Sequence, residues 1–300
     1  MLPPLHPQQN PVVAGIDKLH LTIPICHDLA EVVQSLFGIS INNFSKKTNT
    51  KKLKWYATTY TLQTTAGHTL AAIHTDPRGQ YNNRHLVQIH GLTLSDSSYN
   101  ALRPLSIDHI LTTAASYNAN ITAVDFYIDV FCDLVPLDDL FVQSLPRTYK
   151  QFIRSPFLRD HKGVKTTPRI LENGIYYGLQ QRNSCQILAY DKARNPRQDI
   201  YSPANPLKHP WFRFEVRLKG QTAKQQATIL LDFASYQAAC SFNNPDRPAP
   251  TLQTYIAGQV SRYLQFVQPT SKRARRCPLQ PWWSHVLQLA GVGHQGPSRG

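Results

Sequence analysis

Three sets of residues in this chain have types and spacing that could do chemistry. They are Asp125, Tyr127 and Asp129; Tyr190 and Lys192; and Arg213, Glu215, Arg217 and Lys219. Each set steps by two along a short segment: ITAVDFYIDV (121–130), CQILAYDK (185–192) and WFRFEVRLK (211–219). A period of two marks a β-strand, whose successive side chains point to opposite faces. Each segment therefore puts its polar set on the face away from its apolar residues, with Leu188 sharing the polar face of the second. Carboxylates, a phenol and cations on the same side of neighbouring strands form a plausible plan for metal-assisted chemistry on phosphate.

Geometry limits how these groups combine. A strand rises ~3.3 Å per residue, so Asp125 and Asp129 lie roughly 13 Å apart along theirs. Metal–oxygen bonds are only ~2.0–2.6 Å long, so the two cannot share one ion on a regular strand. Residues opposed on paired strands have β-carbons about 5 Å apart. One aspartate is therefore expected to share an ion with Glu215, while the other orients a partner or contacts a cation. The plainer alternative is that all three carboxylates simply pair with Arg213, Arg217 and Lys219 on a wet sheet face. Tyr190 gains interest from Lys192, two residues on and on the same face. An unperturbed phenol has a pKa near ~10 and needs a cation or metal beside it to serve as a nucleophile. Its attack on a phosphodiester would give a phosphotyrosine link and free a deoxyribose hydroxyl.

Other chemistries lack their residues. There is no Gly-rich phosphate loop ending in Lys-Ser or Lys-Thr, no Gly-x-Ser-x-Gly elbow, and no pair of histidines flanking one apolar residue. Five cysteines (Cys26, Cys132, Cys185, Cys240 and Cys277) are widely separated, odd in number and without zinc spacing, which favours a reducing, cytoplasmic setting. The N-terminus has neither the basic region nor the apolar block of a secretory signal, and no apolar run approaches the ~18 residues of a membrane span. The informative number is charge: 32 Lys and Arg against 18 Asp and Glu, a net +14. Such a surplus favours a polyanionic partner, held through counterion release.

The elements that must position the three segments follow from pattern. Residues 1–13, rich in Pro and Gln, read as a loose arm. Residues 16–25 alternate as a strand with Leu19, Leu21 and Ile23 inward. Asp28 and Glu31 make a capping box for a helix through Phe37, which Gly38 stops. The lysine-rich run 45–54 reads as a solvated loop or a DNA-backbone contact. Residues 55–62, 69–74 and 85–90 read as a strand meander, 105–119 as a helix, and Pro136 opens another. The basic stretch 146–172 reads as a mobile loop over substrate or a solvated connection. Residues 174–180 and 185–192 form a hairpin, 222–241 a helix, 243–250 a linker, and 252–267 a further helix. The tail carries Lys272–Arg276 and the pair Trp282/Trp283, which docks on the domain or recruits a helicase. The fold class expected is α+β, a mainly antiparallel sheet covered by helices on one face. Its segments are an arm (1–13), a core domain (14–242), a linker with a helix (243–268) and a basic tail (269–300).

Over roughly residues 14–235 the chain resembles the trans-acting replication initiation factors of rolling-circle plasmids and filamentous phages. Four signals in order carry the resemblance. Gln88-Ile89-His90-Gly91 is similar to that family's strand ending in Leu-Ser-Gly, with His90 for serine. Residues 121–129 resemble its Thr-Arg-Ile-Asp-Leu-Ala-x-Asp strand, with Asp125 and Asp129 at the two aspartates. Tyr176-Tyr177-Gly178 followed by Ala189-Tyr190-Asp191-Lys192 resembles its Tyr-x-Gly hairpin ending in Tyr-Asp/Glu-Lys. Residues 212–219 resemble its Arg-x-Glu-x-Arg-Leu-Lys strand, with Arg213, Glu215, Arg217 and Lys219 in place. The departures are Val124 and Leu188 where the family commonly has arginine, and Gly178-Leu179-Gln180 for Gly-Ser-Arg, with Arg182 displaced.

The resemblance implies a relaxase-like nicking domain. It implies an enzyme that nicks and rejoins one strand of its origin and stays joined to the new 5′ end. Tyr190 would be the nucleophile, with Tyr176 or Tyr177 next in line. Asp125, Asp129 and Glu215 would surround a divalent metal, Mg²⁺ or Mn²⁺. Lys192, Arg213, Arg217 and Arg182 would contact DNA phosphate. The implied partners are origin DNA, single-stranded or supercoiled duplex, a host helicase and a second copy of the chain, in a bacterial cytoplasm and away from membranes. Two other classes remain open on the residues alone. One is a non-catalytic DNA- or RNA-binding protein using the basic face and an exposed Tyr127. The other is a primase-like nucleotidyl transferase holding two metals on its strand aspartates.

Overall fold

A computed structural model of the chain describes residues 11–49, 55–63, 67, 69–78, 83–90, 106–144, 153–154, 169–171, 174–177, 184–192, 210–243, 248–271 and 276–292. Arg182, most of the basic stretch 146–172, Lys272–Arg275 and the loop 195–209 lie outside the described residues. The chain forms two compact units. The first comprises Met1–Gly15, Asp125–Leu218 and Pro250–Gly300; the second comprises Ile16–Val124 and Lys219–Ala249. These bounds cut across the four expected segments. Val12 and Val13, expected in the arm, already belong to strand β1 (Val12–Pro24).

In the second unit, β2 (Ser45–Thr48), β3 (Tyr56–Gln63), β4 (Thr69–Pro77) and β5 (Arg84–His90) run as an antiparallel meander that ends against β1. Leu21 sits opposite Val87, Leu19 opposite Ile89, and Ile73 opposite Val87 on the far side. That shared register puts Leu19, Leu21, Ile73, Val87 and Ile89 on one fully buried face. Helices α1 (Leu29–Phe37) and α2 (Ile107–Ser116) bury Val32, Val33, Leu36 and Phe37, and Ile110, Leu111 and Ala114. The Asp28 carboxylate accepts the Glu31 N–H, and Gly38, at φ 67°, ends α1 in the left-handed conformation that glycine takes without a Cβ penalty. Residues 45–48, expected in a loop, are instead an exposed edge strand; the charges of Lys46 and Lys47 blunt an edge that would otherwise pair with another chain. The single helix expected at 222–241 is two, α4 (Gln221–Leu231) and α5 (Phe233–Asn243). Asp232 leaves the helical region (φ −135°, ψ 56°) and its carboxylate accepts the Ser235 N–H, so it stops one helix and caps the next.

In the first unit, the strand order is β6 (Asn120–Val130, from Asp125), β11 (Phe212–Lys219, to Leu218), β10 (Cys185–Asp191), β9 (Gly174–Tyr177) and β8 (Arg169–Leu171). Strand β10 is antiparallel to both β11 and β9. This unit also holds α3 (Leu137–Gln143), α6 (Leu252–Tyr263), α7 (Pro281–Leu289) and a two-stranded ribbon of β7 (Ile153–Arg154) and β12 (Gln265–Phe266). Phe214, Phe266, Trp282 and Trp283 form an aromatic cluster with the Phe214 and Trp283 centroids 4.8 Å apart. Trp283 is fully buried, so the tail's tryptophan pair docks on its own unit. The helix expected to reach Val267 stops at Tyr263, because Leu264 turns extended and hands Gln265 and Phe266 to the ribbon. The whole is an α+β fold with a large antiparallel sheet.

Candidate active site

Asp125, Asp129, Tyr190, Lys192, Arg213, Glu215 and Arg217 all fall in the first unit, whereas Lys219 falls in the second. Strand register explains how they meet. Leu188 is opposite Glu215, Tyr190 opposite Arg213, and Gln186 opposite Arg217. On the other side of β10, Tyr176 is opposite Leu188 and Gly174 opposite Tyr190. A two-residue stagger thus lets the long Tyr190 side chain reach diagonally to Glu215, whose Oε2 accepts the phenol hydrogen at 2.9 Å. Gly174 makes room for this: a Cβ there would lie 2.4 Å from the Tyr190 Cβ and 2.8 Å from the Ala189 carbonyl oxygen.

Charge on this face is paired rather than solvated. Arg213 donates from Nε and from a terminal nitrogen to the two Asp129 oxygens, both at 2.6 Å. Its guanidinium also stacks over the Tyr127 ring at 4.2 Å. Arg217 Nε donates to Glu215 Oε1 at 2.6 Å and lies 3.7 Å from Asp125 Oδ2. Burial works against the Arg217 charge, but Glu215 and then Asp125 and Tyr190 outweigh it and raise its pKa above the ordinary value. Arg213 and Glu215 are each 1% exposed, so this part of the face is buried where a wet one was expected, while Tyr190 and Arg217 stay partly exposed. Ion pairing of this kind is what the plainer reading of the strands anticipated for Arg213 and Arg217.

Lys192 is buried with its ammonium 4.6 Å above the Trp211 ring, and Trp211 packs on Phe131 at 5.3 Å. Tyr127, expected as an exposed aromatic for stacking on bases, is only 5% exposed. It lies between Arg213 and Gly15, where an added Cβ would sit 2.5 Å from the phenol oxygen. Tyr177 faces the other way, bonded to Ser144 at 2.9 Å and with its pKa pushed up by burial. Tyr176 stays half-buried on the Tyr190 side. Sequence reasoning missed Gly15, Gly174 and Trp211. A glycine inside or opening a strand is the signal that would have found the first two, because it marks close approach of another group.

Among the described residues, no group of three His, Cys, Asp or Glu side chains is placed as a metal-ligand cluster. Asp125 and Glu215 nonetheless converge on one cationic position, which the Arg217 guanidinium takes. Two carboxylates facing one cation suit a hard divalent ion of the Mg²⁺ type, which commonly binds one or two carboxylates plus substrate phosphate. Asp129 stands apart from that position, both its oxygens committed to Arg213.

An α+β fold built on a large antiparallel sheet defines a broad structural class. Within that class, a solved structure of a rolling circle replication initiator protein from Geobacillus stearothermophilus is similar to this chain, with a TM-score of 0.62 at 19% sequence identity, over 93% of this chain and 96% of that one. At that identity the likeness is one of fold. No protein-family model matches the chain, and no curated protein matches it in sequence. Among the described residues no helix is long and apolar enough to cross a membrane.

Proposed function

We propose that this protein initiates rolling-circle DNA replication by nicking and rejoining one strand of its origin through Tyr190. The observation that carries the reading is the 2.9 Å hydrogen bond from the Tyr190 phenol to Glu215, beside two further charged pairs on one face. The fold-level likeness to a replication initiator and the net +14 charge support a DNA partner.

In this reading Glu215 accepts the phenol proton as Tyr190 Oη attacks the scissile phosphorus. The P–Oη bond forms as the bond from phosphorus to the 3′ oxygen breaks. That oxygen leaves as a hydroxyl, taking up the proton that Glu215 received. The 5′ phosphate stays on Tyr190, and rejoining runs the same transfers in reverse. Asp125 and Glu215 would hold the divalent ion, Mg²⁺ or Mn²⁺, and Asp129 would act through Arg213. Bound there, the ion would polarise the non-bridging phosphate oxygens. Arg213, stacked on Tyr127 and opposite Tyr190 on the neighbouring strand, is a fixed cation beside the nucleophile. Lys192, two residues past Tyr190 in the sequence, is a further cation near this end of the strand, its ammonium over the Trp211 ring.

The test uses the DNA flanking the gene, labelled on the 3′ side of candidate nick sites, with Mg²⁺ or Mn²⁺. Wild-type protein is expected to form a covalent adduct that EDTA prevents. Tyr190→Phe should bind the same DNA normally and form none. An adduct of undiminished yield in Tyr190→Phe would exclude this tyrosine. Wild-type binding without any cleavage would point to a non-catalytic DNA-binding protein, and nucleotide incorporation surviving Tyr190→Phe to a nucleotidyl transferase.

A further inference from the structure

The two buried-face arginines are held differently. Arg213 has a side chain 1% exposed and a two-pronged grip on Asp129, while the Arg217 side chain is 33% exposed. Arg217 meets Glu215 through a single close Nε contact at 2.6 Å and Asp125 only at 3.7 Å. It also stands opposite Gln186, four residues along the strand from the Tyr190–Arg213 pair. A planar fork gripping one carboxylate is locked; a guanidinium bridging two carboxylates by one edge can let go.

We propose that Arg217 is a gate on the metal position: it holds Asp125 and Glu215 together in the metal-free protein, and a divalent ion binds only by displacing it toward the scissile phosphate. The inference rests on the metal-assisted reading of this site and adds a competition within it. The same carboxylate oxygens cannot serve the guanidinium and a divalent ion at once, since both are cations directed at the same lone pairs. The exchange also changes what the site attracts. Asp125, Glu215 and a docked Arg217 carry one net negative charge, which repels a phosphodiester. With a divalent ion added and Arg217 swung out, the same groups carry one net positive charge and a free guanidinium fork suited to phosphate oxygens. Metal and DNA affinities are then linked, each raising the other by the same factor.

The test measures Mn²⁺ binding to the full chain without DNA by isothermal titration calorimetry. Variants are Arg217→Gln, Arg217→Lys and the double variant Arg217→Gln/Glu215→Gln. Arg217→Gln is expected to bind Mn²⁺ about tenfold or more tightly than wild type, a coupling of ordinary size. Arg217→Lys should fall between them, and the double variant should lose the gain. Equal or weaker Mn²⁺ binding by Arg217→Gln would overturn the gate while leaving the metal reading standing. No Mn²⁺ binding at millimolar concentration by either protein would overturn both. A second readout separates a merely structural arginine from a gate. In a Tyr190→Phe background, Mn²⁺ should tighten binding of single-stranded flanking DNA in fluorescence anisotropy, and Arg217→Gln should weaken that tightening, because the ion's charge remains but the guanidinium fork is lost. An undiminished Mn²⁺ effect in Arg217→Gln would also sink the proposal.

Discussion

The two units solve the same problem, polar side chains on a half-covered sheet, in opposite ways. The first keeps full charges and pairs them: Asp129 with Arg213, Glu215 with Arg217, Asp125 within reach of Arg217. The second holds its inward imidazoles neutral. His20 and His90 lie with ring centroids 6.1 Å apart, and His74 receives a 2.9 Å contact from Thr59, which in turn accepts from Asn49 at 2.7 Å. Burial is the main force holding these imidazoles neutral, with Lys18 the next contributor for His20 and His90; His20 is pushed down to about 3 and His90 to about 4. Neutral imidazoles can be buried cheaply but do little for a phosphate. Paired ions are costly to assemble, yet they stay charged and are ready to exchange partners when an anion or a metal arrives. The difference is one of means: the first unit keeps its ions by pairing them, and the second keeps its imidazoles neutral.

The comparison breaks most visibly if the first unit's pairing carries no energy. Arg213→Ala would leave the Asp129 carboxylate buried without its fork and take the cation from the Tyr127 face. The expected loss is about 3–5 kcal/mol of stability in urea unfolding. Replacing both partners, Arg213→Met with Asp129→Leu, should recover most of that loss, because an apolar pair of similar volume carries no desolvation penalty. An Arg213→Ala protein as stable as wild type would mean that the pairs are incidental.

A smaller effect tests whether the first unit's geometry, not only its charge, is built. Gly174→Ala puts a methyl 2.4 Å from the Tyr190 Cβ and 2.8 Å from a backbone oxygen, so the strand or the tyrosine must shift. The expected cost is about 1–3 kcal/mol. The Tyr190–Glu215 contact should loosen with it, so covalent adduct yield on flanking DNA should drop while DNA binding holds. Unchanged adduct yield would show that Tyr190 does not depend on the close approach.

Much of this was legible in the chain because strands write their faces in plain alternation. The three strands that carry the candidate site, the meander, the Asp28 cap and the Gly38 stop appear where pattern and capping chemistry put them. What was not legible depended on partners distant in sequence. The Lys46–Lys47 segment became an edge strand only because β3 was there to pair with it. Residues 265–266 left the helix because β7 offered a ribbon and the aromatic cluster offered Phe266 a seat. Within the site, residue types were legible and pairings were not. The choice of Arg213 for Asp129, and of Arg217 for Glu215 and Asp125, is set by register between strands, which a single sequence does not print.

The subtlest expected effect lies in the second unit and is one of pH. An imidazole in the unfolded chain takes a proton below about 6.5. Folded His20 resists until about pH 3 and His90 until about pH 4, facing Lys18 and His74 in both cases, Lys219 for His20, and Asp17 as an opposing influence on His90. Between those values and 6.5 the unfolded state binds more protons, so stability must fall as pH is lowered through that window and be flat in this respect above it. Replacing His20 with leucine removes one such group together with a buried Nε2 that lacks a hydrogen-bond partner. At pH 7 the variant should therefore be close to wild type. At pH 5 it should have lost less stability than wild type by about 1–2 kcal/mol, read from urea midpoints at the two pH values. A wild-type slope left intact by His20→Leu would mean that this imidazole is not held neutral, and the contrast between a unit that pairs its charges and one that keeps its imidazoles uncharged would lose its second half.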